Sequence, residues 1–142
     1  MNDIGILIKK INNRLEAGRN RDLKDLKLTG AQLDILLFLS HQSQSEKTIV
    51  QKDIGEFLAI KHTSTIDILK KLEEKQLIYR ETNQDNARCR NVYLTEKGKQ
   101  LTASLSTKKD KIEAILLEGF SETEHQQLWQ QLMKIYNNIE NI

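Results

Sequence analysis

Proline is absent from the chain, glycine occurs six times and cysteine once, and each scarcity removes a class of protein. A turn-rich all-β sandwich or a disordered chain would use more proline and glycine, so the composition favours an ordered, mostly helical molecule. The single thiol, Cys89, excludes an intrachain disulfide, and His41, His62 and His125 are too scattered to match metal-ligand spacing. The same scatter offers no nucleophile, base and orienting group in a recognised arrangement, so neither an enzyme nor a resident cofactor or metal is expected. Aromatic residues make up 5% of the chain, too few for a platform that stacks single-stranded nucleic acid. No long apolar run and no basic leader occur near Met1, which predicts a cytoplasmic protein without a membrane span.

What is present is 38% hydrophobic and 30% charged residues over 142 positions, enough for one core without staples. The net charge of +2 hides an uneven distribution. Residues 61–99 hold nine Lys/Arg against six Asp/Glu, whereas residues 100–142 hold four against six. A cationic middle beside a mildly acidic end suggests a polyanion-facing surface in one part and a different role for the other.

Ile4, Ile8, Ile11 and Leu15 recur at the spacing of one helical stripe and predict a helix over residues 3–18, closed by the polar run Arg19-Asn20-Arg21-Asp22. Thr29-Gly30-Ala31-Gln32 matches a capping box and opens a second helix to about Ser40. Its Leu33, Ile35, Leu36, Leu37, Phe38 and Leu39 are apolar on nearly all sides, as a buried core helix requires. Thr48-Ile49-Val50 is β-branched and short, suited to a minimal strand.

Residues 51–58 read as a short helix burying Ile54, Phe57 and Leu58, and after the turn Ala59-Ile60-Lys61 a longer helix spans about 63–75. Two helices joined by three residues form a candidate helix-turn-helix. The second buries Ile66, Leu69 and Leu72 and leaves Thr63, Ser64, Thr65, Asp67, Lys70 and Lys71 on faces where a DNA groove can meet them. One of its three hydroxyl residues is expected to cap the helix, with Ser64 and Asp67 forming a box.

Strand-like runs at 77–81 and 91–95 enclose a polar stretch with Asn83, Asp85 and Asn86 as turn formers, a β-hairpin with a long tip. Strand alternation would point Arg88 and Arg90 to one side, toward phosphate or groove. A basic hairpin behind a helix-turn-helix is a wing. Thr95 then opens a helix to about Glu118, Gly119 ends it, and Ser121-Glu122-Thr123-Glu124 matches a second capping box before the last helix. Leu101, Leu105, Ile112, Ile115 and Leu116 line the first of these helices. Leu128, Leu132, Ile135 and Ile139 line the last, beside Trp129 and Tyr136. That is more apolar surface than one winged helix uses, so Leu116, Phe120, Leu128, Leu132, Ile135 and Ile139, with Ile4, Ile8 and Ile11, are expected to meet a partner subunit.

The order of elements and several local strings resemble the MarR (multiple-antibiotic-resistance regulator) family over roughly residues 4–140, most specifically over 49–98. Leu28-Thr29 through Leu39 is similar to the family's core helix. Val50-Gln51-Lys52-Asp53-Ile54-Gly55 is similar to its first helix-turn-helix helix, with Gly55 where the family favours a small residue. Leu69-Lys70-Lys71-Leu72-Glu73-Glu74-Lys75-Gln76-Leu77-Ile78 looks like the end of its recognition helix. In the wing the family favours Asp-x-Arg, five further residues and Leu-Thr. Here Asn86-Ala87-Arg88-Cys89-Arg90-Asn91-Val92-Tyr93-Leu94-Thr95 fits, with asparagine in place of an aspartate thought to help hold the wing.

The resemblance implies one mainly α domain with a small β-hairpin wing over 1–142: a winged helix-turn-helix lobe over 28–98 and dimerisation helices over 1–27 and 99–142. It implies a homodimeric transcriptional regulator, by default a repressor, that binds a pseudo-palindromic duplex and responds to a small-molecule effector of unknown identity. The candidate DNA-contacting residues are Gln51, Lys52, His62, Thr63, Ser64, Thr65, Asp67, Lys70, Lys71, Arg88 and Arg90. Arg88 takes the wing-arginine role, and Asp67 stands where many relatives carry an arginine; an acid there can accept a hydrogen bond from a cytosine amino group.

Two rival readings stay in view. A winged helix can serve as a protein-binding module once its wing and recognition helix lose their basic residues, but Lys70, Lys71, Arg88 and Arg90 argue against that loss. Cys89, flanked by Arg88 and Arg90, sits where neighbouring cations favour a reactive thiolate, which would suit a redox-sensing regulator, although no second cysteine is present to resolve a disulfide.

Overall fold

Six helices and one antiparallel hairpin follow in the order α1 (Ile4–Leu26), α2 (Gly30–Gln42), α3 (Gln51–Leu58), α4 (His62–Glu74), β1 (Ile78–Thr82), β2 (Arg90–Leu94), α5 (Glu96–Leu116) and α6 (Glu122–Glu140). The structure, a computed structural model, describes residues 2–140 and 142. The chain divides into two units, residues 1–102 and 103–142, with α5 crossing the boundary.

In the first unit, the Asp3 side chain accepts the Ile6 amide at 3.0 Å and starts α1. The helix does not stop at residue 18 as its apolar stripe suggested but continues to Leu26. The polar run 19–22 contains no glycine or proline, and tertiary contacts hold the added turns. Arg19 reaches Asp34 at 2.8 Å, and Leu23 and Leu26 pack on the core. α1 ends where Lys27 turns left-handed at φ 55 and the Leu28 amide bonds back to the Leu23 carbonyl.

The Thr29 capping box is formed in both directions: Gln32 N donates to Thr29 Oγ1, and Thr29 N donates to Gln32 Oε1. It opens α2, which contributes Ile35, Leu36 and Leu39 to a core completed by Leu28, Ile49, Ile54, Leu69, Leu72, Leu77, Ile78, Val92 and Leu94. Phe57 was expected to join this core. Instead it lies on the surface, 51% exposed, stacked on Phe38 with ring centroids 4.3 Å apart. Ile66 is only half-buried. The Thr48-Ile49-Val50 strand reduces to a single bridge between Val50 and Asn91, supported by Val92 N donating to the Ile49 carbonyl at 2.9 Å.

The hairpin pairs Ile78 with Leu94 and Thr82 with Arg90, one residue away from the expected strand limits at all four ends. At its root Thr95 caps α5. Its Oγ1 accepts the Gly98 amide at 3.0 Å and donates to the Gln76 carbonyl at 2.7 Å, while Thr95 N donates to the Leu77 carbonyl at 3.1 Å.

The turn between α3 and α4 is the expected Ala59-Ile60-Lys61, and Ala59 closes α3 in the left-handed region at φ 54. An L residue there costs about 1–2 kcal/mol that glycine avoids, offset in part by the freedom glycine adds to the unfolded chain. Ala59→Gly should therefore raise the unfolding free energy by about 0.5 kcal/mol. A rise in urea midpoint with an unchanged slope would bear this out; a fall would show that the turn tolerates the alanine at no cost.

In the second unit, α5 runs on to Leu116 and Gly119 breaks the chain at φ 84. The Ser121 box is also formed in both directions, with Ser121 Oγ accepting the Glu124 amide at 3.1 Å and Glu124 Oε1 accepting the Ser121 amide at 3.2 Å. α6 carries Trp129, Leu132, Tyr136 and Ile139 exposed on its surface. No helix of the described residues is long and apolar enough to cross a membrane, and among them no group of three His, Cys, Asp or Glu is placed to hold a metal ion.

Candidate nucleic-acid interface

The helix-turn-helix closes tightly because Gly55 carries no side chain. A Cβ there would come within 3.1 Å of Thr65 Oγ1 and 3.8 Å of the Ile60 carbonyl oxygen. Thr65 cannot retreat, being fully buried with its hydroxyl donating to the Lys61 carbonyl at 3.1 Å. This corrects the expectation for Thr65, which faces the core and not a groove. Thr65, Leu69 and Leu72 share the buried face at i, i+4 and i+7, a pattern hidden from a stripe that counts only hydrophobic residues. No hydroxyl caps α4 either: its N-cap is Lys61, without a side-chain bond, and Ser64 lies inside the first turn.

The opposite face is open. His62, Thr63, Ser64, Asp67, Lys70 and Lys71 are all exposed, so the second helix presents short polar groups at its start and two cations further along. Lys52 on α3 is exposed as well, 3.9 Å from Glu56. Gln51, expected to face DNA, is 8% exposed and its Oε1 accepts from Arg80 Nη1 at 2.9 Å. It is a structural residue, committed to the interior at the start of α3.

Arg80 was overlooked in the sequence because an arginine in a strand gives no local sign of its partners. Its Nε and Nη2 donate to the two carboxylate oxygens of Glu73 at 3.0 and 3.2 Å while Nη1 holds Gln51, so one guanidinium ties β1 to the end of α4 and the start of α3. The Arg80 side chain is 9% exposed. Its hydrogen bond holds the Glu73 carboxyl below the usual 4.5, against the opposing effect of burial.

Arg88 lies in the turn of the hairpin tip and Arg90 is the first residue of β2, so the expected strand alternation does not relate the two. Both are exposed, and Arg90 Nη2 lies 3.5 Å from the Arg80 carbonyl. The tip is held by asparagines. Asn83 Oδ1 accepts the amides of Asp85 and Asn86 at 2.9 and 3.0 Å, Asn86 Oδ1 accepts the Arg88 amide at 3.1 Å, Asn83 Nδ2 donates to Asn91 Oδ1 at 2.8 Å, and Asn91 Nδ2 donates to Tyr93 Oη at 3.1 Å. Asn86 thus fixes the backbone that carries Arg88. Cys89 is a free, half-buried thiol whose backbone bonds to Asn83 and Asn86.

The residues expected at a subunit interface fall on both units. In the first, Ile4, Ile8 and Ile11 are exposed at 58%, 40% and 46%; in the second, Leu116, Phe120, Leu132 and Ile139 are exposed while Leu128 and Ile135 are half-buried.

Residues 26–88 match the MarR family. Over 140 residues, 99% of this chain and 91% of the other, the sequence is 28% identical to YybA, an uncharacterised HTH-type transcriptional regulator of Bacillus subtilis. The fold is similar to that of the transcriptional regulator SlyA, at 29% identity and a TM-score of 0.71, covering 98% of this chain and 95% of that one. It is also similar to MepR of Staphylococcus aureus, described as a transcription regulator of a multidrug efflux pump. In a MepR–DNA complex the identity is 25% and the TM-score 0.72, covering 98% and 99% of the two chains; in MepR bound to ethidium bromide they are 26% and 0.75, covering 96% of each.

Proposed function

We propose that the chain is a member of the MarR family, which its match over residues 26–88 and its similarity to YybA and SlyA support, and that it is a transcriptional regulator in the cytoplasm that binds double-stranded DNA as a homodimer. The observation that carries this reading is the second helix of the helix-turn-helix. One face is locked into the core by Thr65, Leu69 and Leu72, and the other offers Thr63, Ser64, Asp67, Lys70 and Lys71 to solvent, ahead of a wing whose tip presents Arg88. Lys70, Lys71 and Arg88 suit phosphate and groove contacts, and the short groups near the helix start suit base edges.

The exposed apolar residues of α1 and α6 support a partner subunit, since a soluble monomer rarely leaves such stripes open. A two-fold dimer would set two recognition helices in successive major grooves about 34–36 Å apart, on a pseudo-palindrome whose occupation blocks a promoter. Response to a small molecule is part of the reading. It is supported by the ethidium complex of MepR and by a groove of about 550 Å³ in the first unit, lined by Leu26, Leu28, Leu77 and Leu101 with Lys27, Lys75 and Lys97. An occupant that prefers a dimer with wrongly spaced helices releases DNA by linkage.

Fluorescence-anisotropy titration against a selected palindrome and a random duplex at several salt concentrations tests this. Steep salt dependence with tighter palindrome binding is expected, and Arg88→Ala should weaken the palindrome complex by about 10-fold and flatten the salt slope by about one unit per subunit. Weak, salt-independent binding to every duplex would favour a protein-binding winged helix instead.

A further inference from the structure

We propose that Asp67 is a specificity-determining residue of the recognition helix that reads a cytosine in each operator half-site. The inference rests on the DNA-binding reading above. On a helix turning about 100° per residue, Thr63, Ser64, Lys70 and Lys71 are the i−4, i−3, i+3 and i+4 neighbours of position 67. All five are exposed, and Thr65, Leu69 and Leu72 occupy the opposite arc. Asp67 is therefore the centre of the face offered to DNA.

It is also an uncompensated acid. Asp53 accepts the Val50 amide, Glu56 lies against Lys52 and Glu73 is gripped by Arg80, whereas the exposed Glu74, two turns beyond Asp67 at the end of the helix, has no partner among the described residues. Asp67 makes no hydrogen bond or ion pair among the described residues, even with Lys70 and Lys71 one turn away. A free carboxylate in the middle of a phosphate-facing surface weakens binding to every duplex unless a donor on a base meets it. In the major groove the donors are cytosine N4 and adenine N6. Adenine places the N7 acceptor beside N6, where it repels the second carboxylate oxygen, whereas cytosine places no acceptor beside N4, so the geometry favours cytosine.

Selection from random duplexes with wild type, Asp67→Ala and Asp67→Asn, followed by anisotropy on single-base variants, tests the assignment. Wild type is expected to require cytosine at one symmetric position per half-site, and its replacement by thymine, whose O4 repels the carboxylate, should cost about 10-fold or more. In Asp67→Ala that replacement should cost less than about 2-fold, and random duplex should bind more tightly once the repelling charge is gone. Asp67→Asn should shift the preference toward adenine, which an amide can meet with two hydrogen bonds. The same base preference at every position in wild type and Asp67→Ala, or an adenine preference in wild type, would overturn the proposal while leaving the regulator reading intact. Absence of any salt-dependent duplex binding by wild type would overturn both.

Discussion

Gly98→Ala is expected to lower the unfolding free energy by about 3 kcal/mol, at the upper end of what overpacking costs. Gly98 is the third residue of α5, and a Cβ there would lie inside the contact radius of the Leu77 carbonyl oxygen, 3.2 Å from the Leu77 carbonyl carbon and 3.2 Å from Leu94 Cδ2. The obstacle is backbone, so no side-chain rotation relieves it. Leu77 is itself held, since its carbonyl receives the Thr95 amide and its side chain lies in the core. Relief requires α5 to lift from the root of the hairpin, breaking the Thr95 bonds to Gln76 and Gly98. Urea unfolding at matched protein concentration, necessary for a chain proposed to dimerise, should show a much lower midpoint at a similar slope. An unchanged midpoint would mean that α5 and the hairpin root shift apart freely.

Arg80→Ala is expected to cost about 2 kcal/mol. The figure stays below that of a fully buried pair because the Glu73 side chain is 39% exposed and keeps water as an alternative partner. The loss also leaves Gln51 Oε1 without its donor in a buried position. The pH dependence gives this prediction its signature. The folded-state pKa of Glu73 is depressed by Arg80, so the pair contributes fully above the unfolded carboxylate pKa, and the contribution fades as pH falls through the lower folded value. Denaturation curves of wild type and variant should therefore lie furthest apart near neutrality and converge in acid. A gap that persists unchanged in acid would assign the effect to packing of the arginine stem. Because Arg80 joins β1 to α3 and α4, the variant should also bind operator DNA less tightly at neutral pH.

Features encoded by neighbours in sequence were legible before the structure. The Thr29 and Ser121 capping boxes, the three-residue turn at 59–61 and the Gly119 break all depend on residues within one helical turn, and each is present. What escaped depends on distance along the chain. α1 runs through its polar stretch because Asp34, fifteen positions away, waits for Arg19. Thr65 is buried because Gly55 on another helix leaves it a space. Arg80 acquires a purpose only when Gln51, twenty-nine positions earlier, arrives beside it. In the candidate interface the exposed stripe of α4 was legible as helical periodicity. The tip was not, because Arg88 sits in a turn whose course is set by side-chain amides.

Those amides have a consequence for how the protein meets its ionic surroundings. The side-chain bonds that shape the tip, from Asn83, Asn86 and Asn91 to backbone amides, to one another and to Tyr93, join neutral groups. None of those bonds is an ion pair, so added electrolyte has no charge pair within the scaffold to weaken. The form of the wing is thus insulated from medium changes that would strongly alter the DNA contact proposed for it. With a neutral asparagine at position 86, the influence of salt is confined to the proposed contact with DNA, so the slope of affinity against ionic strength becomes a direct count of the ions displaced.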